Sequence, residues 1–217
     1  MKVVVIGATG ATGLELVARG LEEGHEVTAF ARNPAVIDIE DDALERFTGD
    51  VLQPAVVEHA IRGKDAVLFA IGPRRRAGTG ETPVNVVSVA TRHVLEAMEK
   101  HGVKRLVTLS SAGVGESRGK RQAGAMSVVF EKVVVPLFFR REFKDKEVQE
   151  SLVRESKTDW VIVQPTQLTN SKPRGAYTAT ADGARVPARI SRADVAAFMV
   201  AQLTSDTYLH KSVVLGG

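Results

Sequence analysis

The sequence contains no cysteine, so disulfide bonds, thiolate nucleophiles and cysteine-ligated metal sites are excluded. It also has no apolar run near the roughly 20 residues that a membrane-spanning helix requires. Met1 and Lys2 lead directly into an apolar strand pattern. We therefore expect no signal peptide, no transmembrane segment and a cytoplasmic location.

Charge of one sign is not in large excess either. The net charge is +3, which suits an anionic ligand such as a dinucleotide but is too small to indicate nucleic-acid binding. Hydrophobic residues make up 44% of the 217 positions, enough for a substantial core. We expect one domain over residues 1–217, without nucleic acid as a partner.

The most informative pattern that is present lies in the first 24 residues. Val3 to Ile6 is a run of β-branched residues, typical of a strand buried on both faces. Glycines follow at Gly7, Gly10 and Gly13, and apolar residues then recur at helical spacing up to Leu21. Strand, glycine turn and helix in this order predict a dinucleotide-binding unit.

The glycine turn can bind phosphate for a physical reason. Glycine lets an anion approach the main chain, and the N-terminus of the next helix offers unpaired N–H groups. Threonine hydroxyls within the turn could add donors. The predicted phosphate-binding residues are Gly7, Thr9, Gly10, Ala11, Thr12 and Gly13. The alternative is a tight turn that binds no ligand.

The end of the second predicted strand, His25 to Ala31, bears on the choice of cofactor. An acidic residue after this strand would bind the 2′-hydroxyl of NAD, but the chain continues with Arg32, whose planar donors suit a 2′-phosphate. We therefore expect NADP(H) in preference to NAD(H), the alternative being that Arg32 is a solvated loop residue. After the third strand, Asp50 and Val51 could border the adenine, or Asp50 could cap the helix that begins near Pro54.

Three further strand ends carry candidate site residues. Ile71 ends the fourth predicted strand, Asp65 to Ile71, and Gly72 and Pro73 follow it, near the point where a doubly wound sheet reverses its strand order. Ser110 and Ser111 end the fifth strand, where hydroxyls would face the nicotinamide, and Ser111 is the candidate catalytic residue; a polar strand terminus is the alternative. The sixth strand is followed by a last group of candidates, Pro165, Thr166 and Gln167.

The alternation of strands and helices predicts an α/β fold of the Rossmann type. We expect a doubly wound, mainly parallel sheet with helices on both faces. A small C-terminal lobe should lie on the substrate side, and the substrate-side elements should span about 112–146 and 165–190. The segment 125–139 is too apolar for an ordinary surface helix, and it could be core, substrate pocket or a surface for a partner protein.

One catalytic feature is missing. Reductases of this fold often use a tyrosine and a lysine four residues later, but the two tyrosines, Tyr177 and Tyr208, are followed at that spacing by Ala181 and Ser212. Hydride transfer itself needs mainly the positioning of the nicotinamide against an acceptor. A planar acceptor with a delocalised anion could take its proton from water, so the sequence predicts no dedicated side-chain acid.

Several motifs together resemble the atypical short-chain dehydrogenase/reductases that bind NAD(P)H. The chain is most similar to the biliverdin reductase B / flavin reductase family, with NmrA-like proteins as relatives. The resemblance rests on the turn Gly7 to Gly13, on the segment 49–52, on Ser111-Ala112, and on the run from Gly175 to Thr180 with its continuation to Met199.

The resemblance implies NADPH-dependent reduction of a small planar acceptor, usually by a monomer. It assigns the phosphate turn to residues 10–12, the 2′-phosphate to Arg32 and the nicotinamide end to Ser111. The family's Pro-Pro-His segment reads Pro165-Thr166-Gln167 here, which makes a flavin or quinone a better expected acceptor than a tetrapyrrole. The alternative is a non-catalytic NADP(H)-binding redox sensor of the NmrA-like type.

Overall fold

The computed structural model describes residues 1–72, 85–114 and 140–217 of the chain. Eight strands form one sheet in the order β3-β2-β1-β4-β5-β6-β10-β8. All neighbouring strands are parallel except β8, which runs antiparallel to β10. This is the Rossmann-type, mainly parallel α/β fold that the sequence predicts. The strands are β1 Lys2–Ile6, β2 Glu26–Ala31, β3 Leu44–Thr48, β4 Ala66–Phe69, β5 Arg105–Leu109, β6 Asp159–Pro165, β7 Gln167–Thr169, β8 Thr178–Thr180, β9 Arg189–Ser191 and β10 Lys211–Gly216.

Helices cover both faces of the sheet. The five helices in the described ranges are α1 Ala11–Glu22, α2 Pro54–Ile61, α3 Val86–His101, α4 Arg140–Glu155 and α5 Arg192–Ala201. Helices α1 and α5 pack together on one face, while α2, α3 and α4 pack side by side on the other. Along β1 the side chains alternate between these two cores, with Val3 and Val5 in one and Val4 and Ile6 in the other. This alternation explains why the first strand is apolar at consecutive positions.

The strand order reverses beside β1, which pairs with β2 on one side and β4 on the other. The crevice at such a reversal lies outside the carboxyl ends of the strands and is where doubly wound sheets bind ligands. The turn after β1 therefore lies at the position that the sequence predicts.

Helix α5 begins with the side-chain cap that its sequence predicts. The side chain of Ser191 accepts a hydrogen bond from the Asp194 amide at 2.9 Å, as the capping-box pattern predicts. The Asp194 carboxylate in turn accepts from the amides of Arg174 and Gly175, which ties the loop after β7 to this helix.

Some predicted boundaries differ from the structure. The fourth strand ends at Phe69, so Ile71 lies in the following loop. The charged amphipathic pattern from Lys144 to Ser156 predicts a helix that begins at Lys144, whereas α4 is already helical at Arg140. The two-stranded parallel sheet of β7 and β9 was not predicted, because three-residue strands are too short to show a periodic pattern. The pair Thr82-Pro83 has the residue types of an N-cap and first helical position and so predicts the start of α3. This pair and the apolar segment 125–139 lie outside the described residues. Across the described ranges, no helix is both long and apolar enough to cross a bilayer.

Candidate active site

The candidate site lies along one edge of the sheet, where the parallel strands β2, β1, β4, β5 and β6 end. Backbone hydrogen bonds hold neighbouring strand ends together at this edge. The amides of Gly7 and Ala70 donate to the Phe30 and Ile6 carbonyls, at 3.1 and 2.9 Å. The Ala112 amide donates to the Pro165 carbonyl at 3.0 Å. Candidate residues that are far apart in the sequence are therefore close to one another at this edge.

The glycine turn is shaped by contacts that exclude larger residues. Gly7 has a φ of +89°, a backbone conformation that glycine adopts without strain. A Cβ on Gly13 would lie 2.1 Å from the Gly7 carbonyl oxygen, so only glycine fits there. No side chain in the described ranges caps the N-terminus of α1 at Gly10. A helix end with free amide donors and a positive dipole is suited to a pyrophosphate.

The end of β2 carries the residues predicted for the adenosine side. Arg32 is exposed directly after β2, and no carboxylate among the described residues pairs with it. The Gly49 amide donates to the Ala31 carbonyl at 2.9 Å, which places Asp50 beside the same strand end. One carboxylate oxygen of Asp50 accepts from the Leu52 amide at 3.0 Å, and Gln53, not Asp50, is the N-cap of α2. Asp50 thus stabilises the turn before the helix. The Val51 side chain is buried in the core.

The end of β4 borders the glycine turn. The Ile71 side chain lies next to Gly7, at 3.2 Å from where a Cβ would be. Gly72 is exposed and faces open space, so contacts within the described protein leave room for a bound molecule there. Pro73 lies outside the described residues.

The end of β5 carries a pair of groups that sequence reasoning did not bring together. The Lys146 ammonium, on α4, donates to Ser111 Oγ at 2.5 Å and to the Ser110 carbonyl at 3.0 Å. The Ser110 hydroxyl donates instead to the buried Glu150 carboxylate at 2.6 Å. Of the two predicted serines, Ser111 is thus linked to a basic group, whereas the hydroxyl of Ser110 is bonded within the protein.

Helix α4 is fixed by polar contacts on both sides of Lys146. The Asp145 carboxylate accepts from the Val87 and Ser88 amides, at 2.9 and 3.0 Å, and so caps the first turn of α3. One turn further along, Gln149 donates to the Thr108 hydroxyl of β5 at 2.9 Å. These contacts set the rotation of α4 and bring Lys146 to the end of β5.

The buried Glu150 carboxylate is also fully engaged. It accepts from Gln164 Nε2 at 2.8 Å and from Arg154 at 2.7 Å, besides the Ser110 hydroxyl. Pairing and hydrogen bonding of this kind offset the cost of burying a carboxylate. Glu150 lies one helical turn from Lys146, where it favours the charged form of the lysine.

The environment of Lys146 changes its proton affinity. Burial lowers the pKa of the Lys146 ammonium from its usual 10.5 to about 8, although the nearby carboxylates of Glu150, Glu142 and Asp145 favour the charged form. A group with this pKa can release and regain a proton near neutral pH. The site therefore contains a titratable donor in contact with Ser111.

The end of β6 completes the edge. Pro165 is buried and its carbonyl pairs with Ala112. The Thr166 hydroxyl oxygen is buried without a hydrogen-bond partner among the described residues. Such a group is costly to leave unpaired, so it suits a bound ligand that supplies the missing partner. Gln167 is exposed and accepts a hydrogen bond from Arg189 at 3.2 Å.

Sequence reasoning missed Lys146 because it searched forward from the tyrosines. A search backward from the lysines would have found the signal. Lys146 follows Glu142 by four residues, which is the spacing of the tyrosine–lysine pair with glutamate in the place of tyrosine. The described residues hold no cluster of histidine and carboxylate groups that could bind a metal ion.

The comparison with known families covers nearly the whole chain. Residues 7–206 match the sequence profile of the NAD(P)H-binding family. The chain belongs to this family. The matched residues include the glycine turn, the ends of β2 to β6 and the segment that carries Lys146.

Individual relatives match half of the chain or nearly all of it. The chain is 33% identical over 115 residues to a 2-alkyl-3-oxoalkanoate reductase of Stenotrophomonas maltophilia, which covers 52% of this chain and 34% of that protein. The chain thus spans about a third of the length of this curated relative. It is also 27% identical over 212 residues to the protein YwnB of Bacillus subtilis, covering 94% of this chain and 92% of the relative.

Among solved structures, a short-chain dehydrogenase/reductase from Veillonella parvula in complex with NADP superposes with a TM-score of 0.80. The two are 18% identical, over 100% of this chain and 94% of the other. An anaerobillin reductase from Escherichia coli O157:H7 gives a TM-score of 0.77 at 21% identity, over 100% and 97% of the two chains. At these identities the likeness shows that the Rossmann-type fold is shared.

The geometry of the glycine turn generates a prediction. Gly13→Ala should abolish NADPH binding, because the new Cβ cannot coexist with the Gly7 carbonyl and the start of α1 must move. Gly63→Ala is the matched control: Gly63 has a φ of +72° but no atom near its would-be Cβ. It should lower thermal stability while leaving binding intact. Fluorescence titration with NADPH and thermal unfolding check both variants. Unchanged NADPH affinity in Gly13→Ala would contradict the proposed role of the turn.

Proposed function

We propose that this NAD(P)H-binding oxidoreductase uses NADPH to reduce a small planar acceptor, a flavin or quinone more readily than a tetrapyrrole. The observation that carries the proposal is the contact of Lys146 with Ser111 at the carboxyl end of β5, on the same sheet edge as the glycine turn. A phosphate-binding turn at one end of this edge and polar, titratable groups at the other are the parts that hydride transfer requires.

The chain's own residues fit the cofactor along the edge. The amides at the start of α1 would bind the pyrophosphate, Arg32 the 2′-phosphate, and Asp50 with the nearby Val51 backbone the adenosine. Ile71 and Gly72 would border the middle of the cofactor, and the unpartnered hydroxyl of Thr166 would bind near its reacting end. When bound, the reduced nicotinamide would supply the hydride, and the protein would orient it against the acceptor.

The choice of acceptor follows from the groups at the reacting end. No tyrosine of the described residues lies at the end of β5, and Gln167 stands where the family's segment after β6 has a histidine. Gln167 can donate and accept hydrogen bonds but does not exchange protons near neutral pH. Flavins and quinones form delocalised reduced anions, so they place the smallest demand on an enzymatic acid.

The proposal predicts turnover with a defined set of acceptors. NADPH oxidation, followed by the absorbance of the reduced cofactor, should accelerate when FMN, FAD or a soluble quinone is added to the full chain. A 2-alkyl-3-oxo acid, the class named for a partial relative, should give no comparable rate, because its carbonyl is not part of a planar conjugated system whose reduced anion is delocalised. Tight NADPH binding without reduction of any acceptor would contradict the proposal and support a redox sensor of the NmrA-like type.

The cofactor preference has its own prediction. Arg32→Ala should weaken NADPH binding by about 1.5–3 kcal/mol, the cost of a lost charged hydrogen bond, and should weaken NADH binding much less. Arg62→Ala, which removes the same charge from an exposed side chain at the end of α2, is the control and should change neither affinity. The measurement is the dissociation constant of each cofactor for the wild type and both variants. The salt concentration must be the same throughout, because salt screens exposed charges. An equal loss for the two cofactors would refute the role of Arg32.

A further inference from the structure

The backbone of α4 at Lys146 is held in place by the side chains of neighbouring residues on the same helix. The neighbouring Asp145 is fixed to the amides of Val87 and Ser88, and Glu150, one turn later, is bonded to Gln164 and Ser110. The position of α4 therefore brings the Lys146 ammonium to Ser111. The contact does not depend on a flexible side chain bending across the protein surface. Groups held in this way are preorganised for chemistry.

The immediate surroundings of Lys146 favour a proton donor at Ser111. Its own helix contributes the carboxylates of Glu142, Asp145 and Glu150, and β5 contributes the Ser110 carbonyl and the Ser111 hydroxyl. The carbonyl can only accept, so it orients the ammonium and leaves a second N–H directed at Ser111 Oγ. The Ser111 oxygen can accept from Lys146 while its own hydrogen points to a bound acceptor.

The other ionisable side chains that the structure describes around the pair are carboxylates. Glu142 lies four positions before Lys146, where reductases of this fold often have a tyrosine. Asp145 and Glu150 are used by amide and side-chain contacts. Among the described residues at the end of β5, the lysine is therefore the group with a transferable proton.

Building on the proposed function, we propose that Lys146 supplies, through the Ser111 hydroxyl, the proton that the acceptor takes up when it is reduced. The acceptor gains two electrons and one proton as a hydride from the dihydronicotinamide, which is oxidised to the nicotinamide cation. The Ser111 O–H bond breaks as its proton passes to an oxygen or nitrogen of the acceptor. The Lys146 N–H bond breaks as its proton replaces that of Ser111, and the neutral amine regains a proton from water.

This role differs from that of a lysine that only holds the cofactor. A cofactor-holding lysine changes the affinity for NADPH, whereas a proton donor changes the maximal rate and its dependence on pH. With the pKa of Lys146 lowered to about 8 by burial, the donor is charged below that pH and loses its proton above it. The maximal rate should accordingly fall as the pH rises through about 8.

The first test needs no turnover. Competitive acetylation of the unliganded full chain across a pH series, read by mass spectrometry, gives the titration of individual lysines. The reactivity of Lys146 should rise with a midpoint near pH 8 in the wild type. Lys144 is exposed two residues away on the same helix. Its acetylation is the internal reference that corrects for differences in reagent concentration and in protein digestion between samples. A midpoint at the ordinary lysine value of 10.5 would overturn the inference.

The second test separates proton donation from cofactor binding. Lys146→Met should lower kcat for the best acceptor by about 100-fold, with the NADPH dissociation constant nearly unchanged, and should abolish the alkaline limb of the pH–rate profile. Lys146→Arg keeps the charge but cannot release its proton, so it should be nearly as slow. Lys144→Met is the matched control and should behave as the wild type.

The outcomes distinguish the inference from the proposed function. If the wild type reduces an acceptor and Lys146→Met keeps both its kcat and its alkaline limb, the inference fails while the proposed function stands. If Lys146→Met only raises the NADPH dissociation constant, Lys146 is a cofactor-binding residue and the inference again fails. If the wild type reduces none of the flavins and quinones, the proposed function fails, and the inference fails with it.

Discussion

The parallel pairing of β1 with both β2 and β4 is the constraint on which the site depends. Because the two pairings are parallel and the chain leaves β1 between them, all the loops that follow these strands open onto one edge. The turn after β1 must also pass close to the ends of its neighbours. The amides of Gly7 and Ala8 donate to the Phe30 carbonyl, and a Cβ on Gly7 would lie 3.0 Å from the Ala70 carbonyl oxygen, so the turn is fixed by the sheet.

Helix α4 adds a second constraint, and it is polar. The side chains of Asp145, Gln149 and Glu150 are buried, where apolar packing is the usual stabilising contact. Each makes a hydrogen bond to α3, β5 or β6, and such contacts specify one rotation of the helix. An apolar face would tolerate small rotations, whereas these contacts fix the position of Lys146 against Ser111 to within hydrogen-bond distance.

The local parts of this account could be predicted from the sequence, and the contacts between distant segments could not. The β-branched run at Val3 to Ile6 and the cap at Ser191 follow from local rules, and the fold class follows from their order. The strand ends that carry Arg32, Ser111 and Thr166 could be placed on one edge by topology alone. The burial of the Thr166 hydroxyl has no local signal. The spacing of Glu142 and Lys146 could single out Lys146 but not its pairing with Ser111, because that contact depends on how segments far apart in the chain pack. Lys146 also lies on α4, whose many charged residues would by themselves predict a solvent-exposed helix.

The central claim is that one cofactor lies along this edge, with its phosphates at the glycine turn and its reacting end at Ser111 and Lys146. A crystal structure of the full chain with NADP tests this claim most directly. It should show the pyrophosphate within hydrogen-bond distance of the amides at the start of α1 and the 2′-phosphate on Arg32. The nicotinamide should lie against the Ser111 hydroxyl, near Thr166. A nicotinamide bound away from the end of β5, with Lys146 and Ser111 out of its reach, would contradict the account.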